Sequence, residues 1–290
     1  MSLLLYCRCG ADANSQKAET TMANELKLMG VLAHPDDESL GNGGIFAKYA
    51  AEGIETHLVT ATRGERGWFG EEREHPGLEE LGKIRESELY EAATVLGIQS
   101  VSFLNYIDGD LDATHPAEVI AKIAGHLRRV KPEVVVTFGQ YGGYGHPDHI
   151  AISQFTTAAI VEAANPNSLY YRDLAPHSVS KLYYMAETWD IMAVYQSVFG
   201  DLVMNIDGMK RGMVTWPDWS VTTRIDTWGY WQTILSAIIC HQTQLPAYHK
   251  LEHLPEEQRK ALWGSQGYYR VFSLVNGGRQ VETDMFEGLR

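Results

Sequence analysis

Continuous apolar runs alternate with helical patterns along the first 164 residues of the chain. Apolar and β-branched runs predict four strands. They cover residues 26–33, 56–62, 100–104 and 133–138. Apolar residues that recur at helical spacing predict four helices between and after these strands. They cover residues 44–53, 79–97, 116–130 and 150–164.

The pattern after residue 164 is less regular. It predicts strands over 180–186, 214–225 and 268–275, and helices over 189–199, 227–242 and just before Gly264. Strands that alternate with helices are typical of parallel sheets. We therefore predict the α/β fold class, with a Rossmann-like, mostly parallel sheet flanked by helices and a C-terminal α+β cap.

A polar turn follows the first predicted strand, with the sequence A-H-P-D-D-E over residues 33–38. It offers one imidazole, from His34, and two carboxylates, from Asp36 and Asp37. Nitrogen and oxygen donors at the end of a strand suit a divalent metal such as zinc. The alternative is a solvated turn in which Asp37 or Ser39 caps the next helix.

A second turn of the same kind, H-P-D-H over residues 146–149, follows the strand predicted over 133–138. Because the carboxyl ends of parallel strands meet at one edge of a sheet, the two turns can meet there. They then supply three ligands, His34, Asp37 and His149. A fourth position left open for water is what distinguishes a catalytic zinc site from a structural one.

These two motifs, together with T-R-G-E over residues 62–65, resemble the signatures of the LmbE/PIG-L-like zinc-dependent N-deacetylases. The resemblance covers residues 26–160 well and the remainder loosely. The details D-E-S-L over 37–40 and G-G-Y-G over 142–145 are similar to the mycothiol-pathway deacetylase and the mycothiol-conjugate amidase. The family resemblance implies zinc as the cofactor, although Fe²⁺ or another divalent ion also suits such ligands.

The resemblance also implies catalytic roles. Asp36 is expected to act as the general base, and His146 as the acid or oxyanion stabiliser. Asp148 is expected to hold the ring of His146 and keep it protonated, and Tyr144 to reach the oxyanion with its hydroxyl. The alternatives are that Asp36 holds a loop amide, Asp148 caps a helix and Tyr144 packs as an aromatic side chain.

Further positions match the family less specifically. Arg85 and Asp108 match substrate-contacting positions, with a solvated helix arginine and a turn-forming Asp-Gly pair as the alternatives. Glu38 is expected to contact backbone or His149. His241 resembles a late motif near the active site, and packing in the core explains it equally well.

The regular alternation of strands and helices ends near residue 164, which predicts a division of the chain into segments. We expect a disordered leader over 1–24, a Rossmann-like core with the metal site over 25–164, and a cap over 165–290 packed on that core. Translation can start at Met1 or Met22, and the sequence leaves both open.

Composition limits the classes of binding partner to expect. With a net charge of −13, nothing suggests binding to nucleic acid, which requires a basic face, and no apolar stretch is long enough to span a membrane. Three cysteines, Cys7, Cys9 and Cys240, are too few for a disulfide framework and favour a reducing cytoplasm. The expected partner is a small amino sugar or glycoconjugate, with a homo-oligomer left open.

The leading hypothesis is thus a metal-dependent hydrolase that removes the N-acetyl group from an N-acetylglucosamine-type sugar or glycoconjugate. One alternative keeps the chemistry and cleaves a larger amide, as the mycothiol-conjugate amidase does. Another alternative is a non-catalytic metal- or ligand-binding protein of the same fold. That alternative predicts the loss of a ligand or of the base, whereas His34, Asp36, Asp37, His146 and His149 are all present.

Overall fold

A single seven-stranded sheet organises the protein, which is described by a computed structural model over residues 26–200, 203–206 and 208–290. The predicted leader lies outside these residues. The strands of the sheet are β1 (Lys27–Leu32), β2 (Glu55–Thr62), β3 (Ser100–Tyr106), β4 (Val134–Thr137), β5 (Lys181–Met185), β8 (Thr223–Asp226) and β9 (Ser265–Ser273). Two further strands, β6 (Val203–Ile206) and β7 (Met209–Gly212), form a separate hairpin.

The order of the strands confirms the predicted fold class. Across the sheet the order is β3-β2-β1-β4-β5-β9-β8. The first five strands run parallel, and β9 pairs antiparallel with both β5 and β8. Strand β4 is fully buried, as expected for a parallel strand covered on both faces.

Helices cover both faces of the sheet. They are α1 (Asp37–Leu40), α2 (Gly43–Ala51), α3 (Leu78–Leu96), α4 (Pro116–Val130), a short irregular α5 (Gly142–Gly145), α6 (Pro147–Ala164), α7 (Trp189–Phe199), α8 (Trp231–Cys240), α9 (Leu245–Tyr248) and α10 (Glu256–Trp263). Helix α4 packs on α6, while α2 and α3 pack on α8. Among the described residues, no helix is both long and apolar enough to cross a lipid bilayer.

Sequence signals fix several of these boundaries. Helix α4 starts at Pro116, whose missing N–H costs nothing in the first turn of a helix. Helix α3 ends at Leu96 and is capped by Gly97, which adopts a left-handed φ of 74°. Both helices were predicted within one residue of their observed bounds.

Two predictions in the second half are wrong in part. The strand predicted over 214–225 forms only as β8, because Pro217 lacks a donor for a sheet and Asp218–Ser220 folds into a 3₁₀ turn. The helix predicted over 227–242 begins as a 3₁₀ turn over Trp228–Tyr230 and becomes α8 only after it. The hairpin of β6 and β7 was not predicted.

The position of β1 explains where a site can form. The chain leaves β1 for β2 and β3 on one side, and β4 pairs with the other side of β1. In doubly wound sheets such a reversal opens a crevice at the carboxyl ends of the strands. The turns after β1 and β4 both start at this edge, so the prediction that the two motifs meet is confirmed.

The sheet continues beyond residue 164. Strands β5, β8 and β9 all come from the segment predicted as the cap, and they extend the sheet past β4. The remaining helices α7 to α10 and the hairpin also belong to this segment. The division of the chain at residue 164 stays a prediction.

A buried carboxylate, that of Glu282, holds the antiparallel end of the sheet together. Its oxygens lie 2.7–2.9 Å from donor atoms of five side chains, those of Lys181, Tyr183, Thr223, Arg270 and Asn276. These residues belong to β5, β8, β9 and the loop after β9. Removing such a buried charge is costly, because its charged partners are then left buried and unpaired.

We expect Glu282→Gln to lower the free energy of unfolding by about 3 kcal/mol at pH 7, because Lys181 and Arg270 then stay buried without a counterion. Burial alone would raise the pKa of Glu282, but hydrogen bonds, first among them that from Asn276, lower it to about 2. The stabilisation is therefore present above the unfolded pKa of 4.5 and fades as the pH falls towards 2.

Thermal unfolding at pH 7 and pH 3 tests this expectation. The gap in Tm between wild type and Glu282→Gln should shrink at pH 3, and exposed Glu257→Gln on α10 serves as the control. A gap of equal size at both pH values would contradict the role given to Glu282.

Candidate active site and metal centre

The turn after β1 is buried and strained. Asp36 adopts a left-handed backbone with a φ of 108°, which an L-residue with a side chain rarely takes. Oδ2 of Asp37 accepts hydrogen bonds from the backbone N–H groups of Ala33 (3.1 Å) and His34 (2.8 Å). His34, Asp36 and Asp37 are each less than a tenth exposed. The alternative of a solvated turn is therefore wrong.

Each of the two predicted histidine ligands is oriented through one ring nitrogen. Nδ1 of His149 lies 3.2 Å from the carbonyl oxygen of Gly142, which favours the proton on Nδ1 and leaves a lone pair on Nε2. Nε2 of His34 lies 3.1 Å from carboxylate oxygens of both Asp108 and Asp148, which leaves Nδ1 as the free nitrogen. Such carboxylate–imidazole pairs are typical of metal-binding histidines.

The free nitrogens and Asp37 converge. Nδ1 of His34 lies 3.1 Å from Nε2 of His149, and Oδ1 of Asp37 lies 3.5 Å from the same Nε2. Oδ2 of Asp37 lies 3.8 Å from Nδ1 of His34. Tetrahedral ligands at zinc distances are separated by about 3.3 Å. The three predicted ligands thus fit a metal ion of this size.

Two other sets of side chains also cluster with His34. Potential ligand atoms of His146 and His149 lie within 4.8 Å of it and of each other, as do those of Asp108 and Asp148. The two aspartates lie on the Nε2 side of the ring, at hydrogen-bond distance. The chain thus offers candidate metal positions on both sides of the His34 imidazole.

Several buried carboxylates surround His34. Burial opposes protonation of His34, but the neighbouring carboxylates, first among them that of Asp108, raise its pKa well above the usual range. Burial raises the pKa of Asp37 to about 7, with nearby Asp36 adding to the rise. Burial and neighbouring His34 hold the pKa of His149 well below its usual range, so its ring is neutral. A positive charge among these groups offsets the buried carboxylates, and either the second proton of His34 or a bound cation at Nδ1 supplies it.

Asp148 contacts a different histidine from the one predicted. Its carboxylate accepts hydrogen bonds from the backbone N–H groups of Gly109 (2.7 Å) and Leu111 (3.1 Å) and faces His34. It does not cap α6 either, because the ring of His146 accepts the backbone N–H of Asp148 at 3.2 Å and occupies the cap position. The expected side-chain pair of Asp148 with His146 is therefore wrong.

His146 is consequently neutral. Burial, and then the nearby charge of His34, lower the pKa of His146 to about 4. Because Nδ1 of His146 accepts a hydrogen bond, the proton lies on Nε2. The prediction that Asp148 keeps His146 protonated does not hold, and His146 is left as a neutral donor.

The carboxylate of Asp36 is held by two side chains. Oδ2 lies 3.4 Å from Nη2 of Arg85 and accepts a hydrogen bond of 3.2 Å from the hydroxyl of Tyr248. Burial raises the pKa of Asp36, and the Arg85 charge opposes that rise. Arg85 is 3% exposed and also donates to the carbonyl oxygens of Pro35 and Gly64, so the alternative of a solvated helix arginine is wrong.

Glu38 holds the backbone of the same turn. Its Oε2 accepts the backbone N–H of Asp36 at 2.9 Å, as the prediction of a backbone contact required. Its Oε1 lies 2.7 Å from Nε2 of His241, and no described hydrogen bond joins it to His149. Both side chains are fully buried. His241 is thus buried in the core and also contacts the site through Glu38, so both alternatives, core packing and a place near the active site, apply.

The remaining predicted residues border the site. Asp108 lies beside His34, and its Oδ2 also accepts the backbone N–H of Arg66 at 3.2 Å. The Tyr144 ring packs against His149 at a centroid distance of 5.3 Å, and its hydroxyl forms no hydrogen bond within the described part of the chain. Burial raises the pKa of Tyr144 well above its usual range, so the hydroxyl stays protonated.

Sequence reasoning missed Tyr248. It lies between the helix predicted to end at residue 242 and the helix predicted just before Gly264, without a spacing or motif that relates it to Asp36, 212 residues away. No local signal would have found it.

The fold and the buried His/Asp cluster define an α/β protein with a candidate metal centre between two parallel strands. The family model of PIG-L, described as GlcNAc-PI de-N-acetylase, matches residues 29–160. A 1D-myo-inositol 2-acetamido-2-deoxy-alpha-D-glucopyranoside deacetylase from Kineococcus radiotolerans is 31% identical over 303 aligned residues, covering 91% of this chain and 83% of the relative. The chain therefore belongs to the PIG-L/LmbE family, as its motifs predicted.

Two further proteins with different names are similar to this chain. A mycothiol S-conjugate amidase from Streptomyces coelicolor is 29% identical, covering 93% of this chain and 99% of the relative. The structure of N,N'-diacetylchitobiose deacetylase from Pyrococcus horikoshii superposes with a TM-score of 0.64 at 22% identity, covering 84% of this chain and 83% of that one. At this identity the superposition shows the shared fold alone.

We expect His241→Leu to lower the free energy of unfolding by about 3 kcal/mol, because Glu38 then stays buried without its cationic partner. The change is read from Tm by thermal unfolding at pH 7. His126→Leu on α4 is the matched control and should change stability by less than about 0.5 kcal/mol, since it breaks no buried ion pair. Equal Tm values for the two variants would mean that the His241–Glu38 pair does not stabilise the turn.

Proposed function

We propose that this protein is a zinc-dependent N-deacetylase that releases acetate from an N-acetylglucosamine-type sugar or glycoconjugate. The observation that carries the proposal is the convergence of His34, Asp37 and His149 within 3.1–3.8 Å of one another, beside the Asp36 carboxylate. Family membership supports a deacetylase, and the Kineococcus relative bears the name of one that acts on an acetamido sugar joined to inositol.

We assign the metal to the Nδ1 side of His34, with His34, Asp37 and His149 as ligands. The contacts of Nε2 with Asp108 and Asp148 are hydrogen-bond distances, and the Asp148 oxygens already accept two backbone N–H groups. A proton therefore accounts for the Nε2 side. A divalent ion bound there as a Lewis acid polarises an amide carbonyl and lowers the pKa of water. Zinc suits two nitrogens and one oxygen, and Fe²⁺ is an alternative.

Asp36 is the proposed base. Its Oδ2 is engaged by Arg85 and Tyr248, while Oδ1 has no hydrogen bond from any described residue. Oδ1 is thus the atom that takes a proton from the attacking water, whose oxygen bonds to the amide carbon. When the carbon–nitrogen bond breaks, the same proton passes from Asp36 to the departing amine. The second proton of the water stays on the acetic acid, which releases it to solvent and becomes acetate.

His146 and Tyr144 are the proposed oxyanion donors. His146 carries its proton on Nε2, and Tyr144 keeps its hydroxyl protonated. Both rings lie next to His149, at centroid distances of 4.9 and 5.3 Å. Two neutral donors preorganised beside the ligands stabilise the negative oxygen of the tetrahedral intermediate without needing to ionise. Asp148 acts on His34 in this scheme and reaches the reaction only through that ligand.

The sugar contacts proposed for Arg85 and Asp108 stay predictions. Both nitrogens at the tip of Arg85 already face Asp36 and backbone carbonyls, and Asp108 already contacts His34 and the backbone of Arg66. The cytoplasmic location likewise stays a prediction.

The second candidate function is hydrolysis of a larger amide, which the similarity to the mycothiol S-conjugate amidase over 93% of this chain favours.

We expect acetate release from at least one sugar in a panel of N-acetylglucosamine, its inositol conjugate, N,N'-diacetylchitobiose and a mycothiol S-conjugate. Purified protein, chelated protein and chelated protein with zinc restored are compared by measuring acetate and free amine. Release that disappears on chelation and returns with zinc supports the proposal. Amine without acetate from the conjugate would favour the amidase, and protein that binds no metal would contradict the proposed centre.

We expect Asp36→Asn to lower kcat about 10²- to 10⁴-fold, the range for loss of a general base, because the amide cannot take the proton. Bound zinc, measured by atomic absorption, should remain at the wild-type level since Asp36 is not an assigned ligand. Exposed Asp173→Asn controls for the change of one surface charge. An Asp36→Asn protein with full metal and full kcat would remove Asp36 from the mechanism.

A further inference from the structure

The hydroxyl of Tyr248 is the most unexpected group at the site. It donates a hydrogen bond of 3.2 Å to Oδ2 of Asp36, the carboxylate proposed as the base. Tyr248 ends α9, in the C-terminal half of the chain, whereas Asp36 directly precedes α1. A contact between such distant parts of the sequence requires a scaffold that brings them together.

That scaffold is the segment 241–248, which we call the strap. His241 lies 2.7 Å from Glu38, on the motif turn. Thr243 donates to the Glu88 carboxylate on α3 through both its backbone N–H and its hydroxyl, each at 2.7 Å. Gln244 donates to the carbonyl oxygen of Gly67 at 2.8 Å. The strap is therefore fastened to the motif turn, to α3 and to the loop after β2.

These attachments fix Tyr248 relative to Asp36. His241 and Gln244 are both 1% exposed or less, so the hydrogen bonds of the strap are shielded from competing water. Burial raises the pKa of Tyr248 well above its usual range, and its hydroxyl therefore remains a donor at neutral pH. A donor locked in place on one oxygen restricts rotation of the carboxylate.

Several contacts hold the strained residue Asp36 in place. A φ of 108° persists only when surrounding contacts over-determine it. The backbone N–H of Asp36 is held by Glu38, and Oδ2 is held from two directions by Arg85 and Tyr248. The described contacts leave Oδ1 alone unengaged.

We propose that Tyr248 is a positioning residue for the deacetylation, which holds Oδ2 of Asp36 so that Oδ1 faces the attacking water. The inference rests on the proposed function, because that function makes Asp36 the base. Tyr248 acts through Asp36 and not on the sugar. Its loss should therefore change the chemical step and leave substrate binding unchanged.

Steady-state kinetics of acetate release from the active sugar of the panel tests this inference with the zinc-loaded full chain. Tyr248→Phe keeps the ring and removes the hydroxyl. We expect kcat to fall about 10- to 100-fold, as for one hydrogen bond to a charged group, with KM changed less than about twofold. Bound zinc should stay at the wild-type level, and Tm should fall by only a few degrees, the size expected for the loss of one hydrogen bond.

Tyr49→Phe is the matched control. Its buried hydroxyl also donates to a carboxylate, that of Asp284 at 3.1 Å, but near the C-terminus of α2. It should leave kcat and KM unchanged. Wild-type kcat in Tyr248→Phe would overturn the inference, and so would a raised KM with unchanged kcat, which would make Tyr248 a substrate contact.

A double-mutant cycle shows whether Tyr248 acts through Asp36. In the Asp36→Asn background, adding Tyr248→Phe should lower the residual kcat no further. An additional fall as large as that in the wild-type background would overturn the inference, because Tyr248 would then act on something other than Asp36.

The same cycle measured by thermal unfolding does not depend on activity. The Tm loss caused by Tyr248→Phe should be smaller in Asp36→Asn than in wild type, and equal losses would overturn the contact itself. Wild-type protein that releases no acetate would contradict the proposed function, and the unfolding cycle would still decide on the contact between Tyr248 and Asp36.

Discussion

The carboxyl edge of β1 and β4 brings several ionisable groups together in a buried space, where each charge needs a partner. An unpaired charge in such a place costs several kcal/mol, so partners come from wherever the fold can supply them. Asp37 takes two backbone N–H groups, and Glu38 takes His241 and the backbone of Asp36. This requirement explains why remote segments such as the strap converge on a turn of a few residues.

The same requirement separates what the sequence predicts from what it does not. The parallel core and both motif turns are predictable, because their signals are local: apolar runs, helical spacing and residue types at a strand end. Adjacent strands β1 and β4 then bring His34 and His149 together over 115 residues of sequence. The partner of each ligand is set by packing, which local patterns do not encode.

Asp148 illustrates this limit. Its place two residues after His146 suggested a side-chain pair between them. Its carboxylate instead accepts two backbone N–H groups from the loop after β3 and lies beside the ring of His34. Only the fold determines that this loop lies there. Tyr248 is a clearer case, since nothing in its surroundings along the chain relates it to Asp36. The family resemblance selected Arg85 and Asp108, and both side chains lie at the site. Their roles as sugar contacts stay predictions.

The central place of β4 in the sheet has a consequence for any attempt to shorten the protein. The segment up to residue 164 contains all three assigned ligands but lacks β5, the neighbour that pairs with β4. In such a fragment the V-V-V-T strand would become an apolar, open sheet edge with unsatisfied backbone groups, which can pair with a second chain. A minimal fragment that keeps every ligand would therefore tend to self-associate before it could be used as a catalyst.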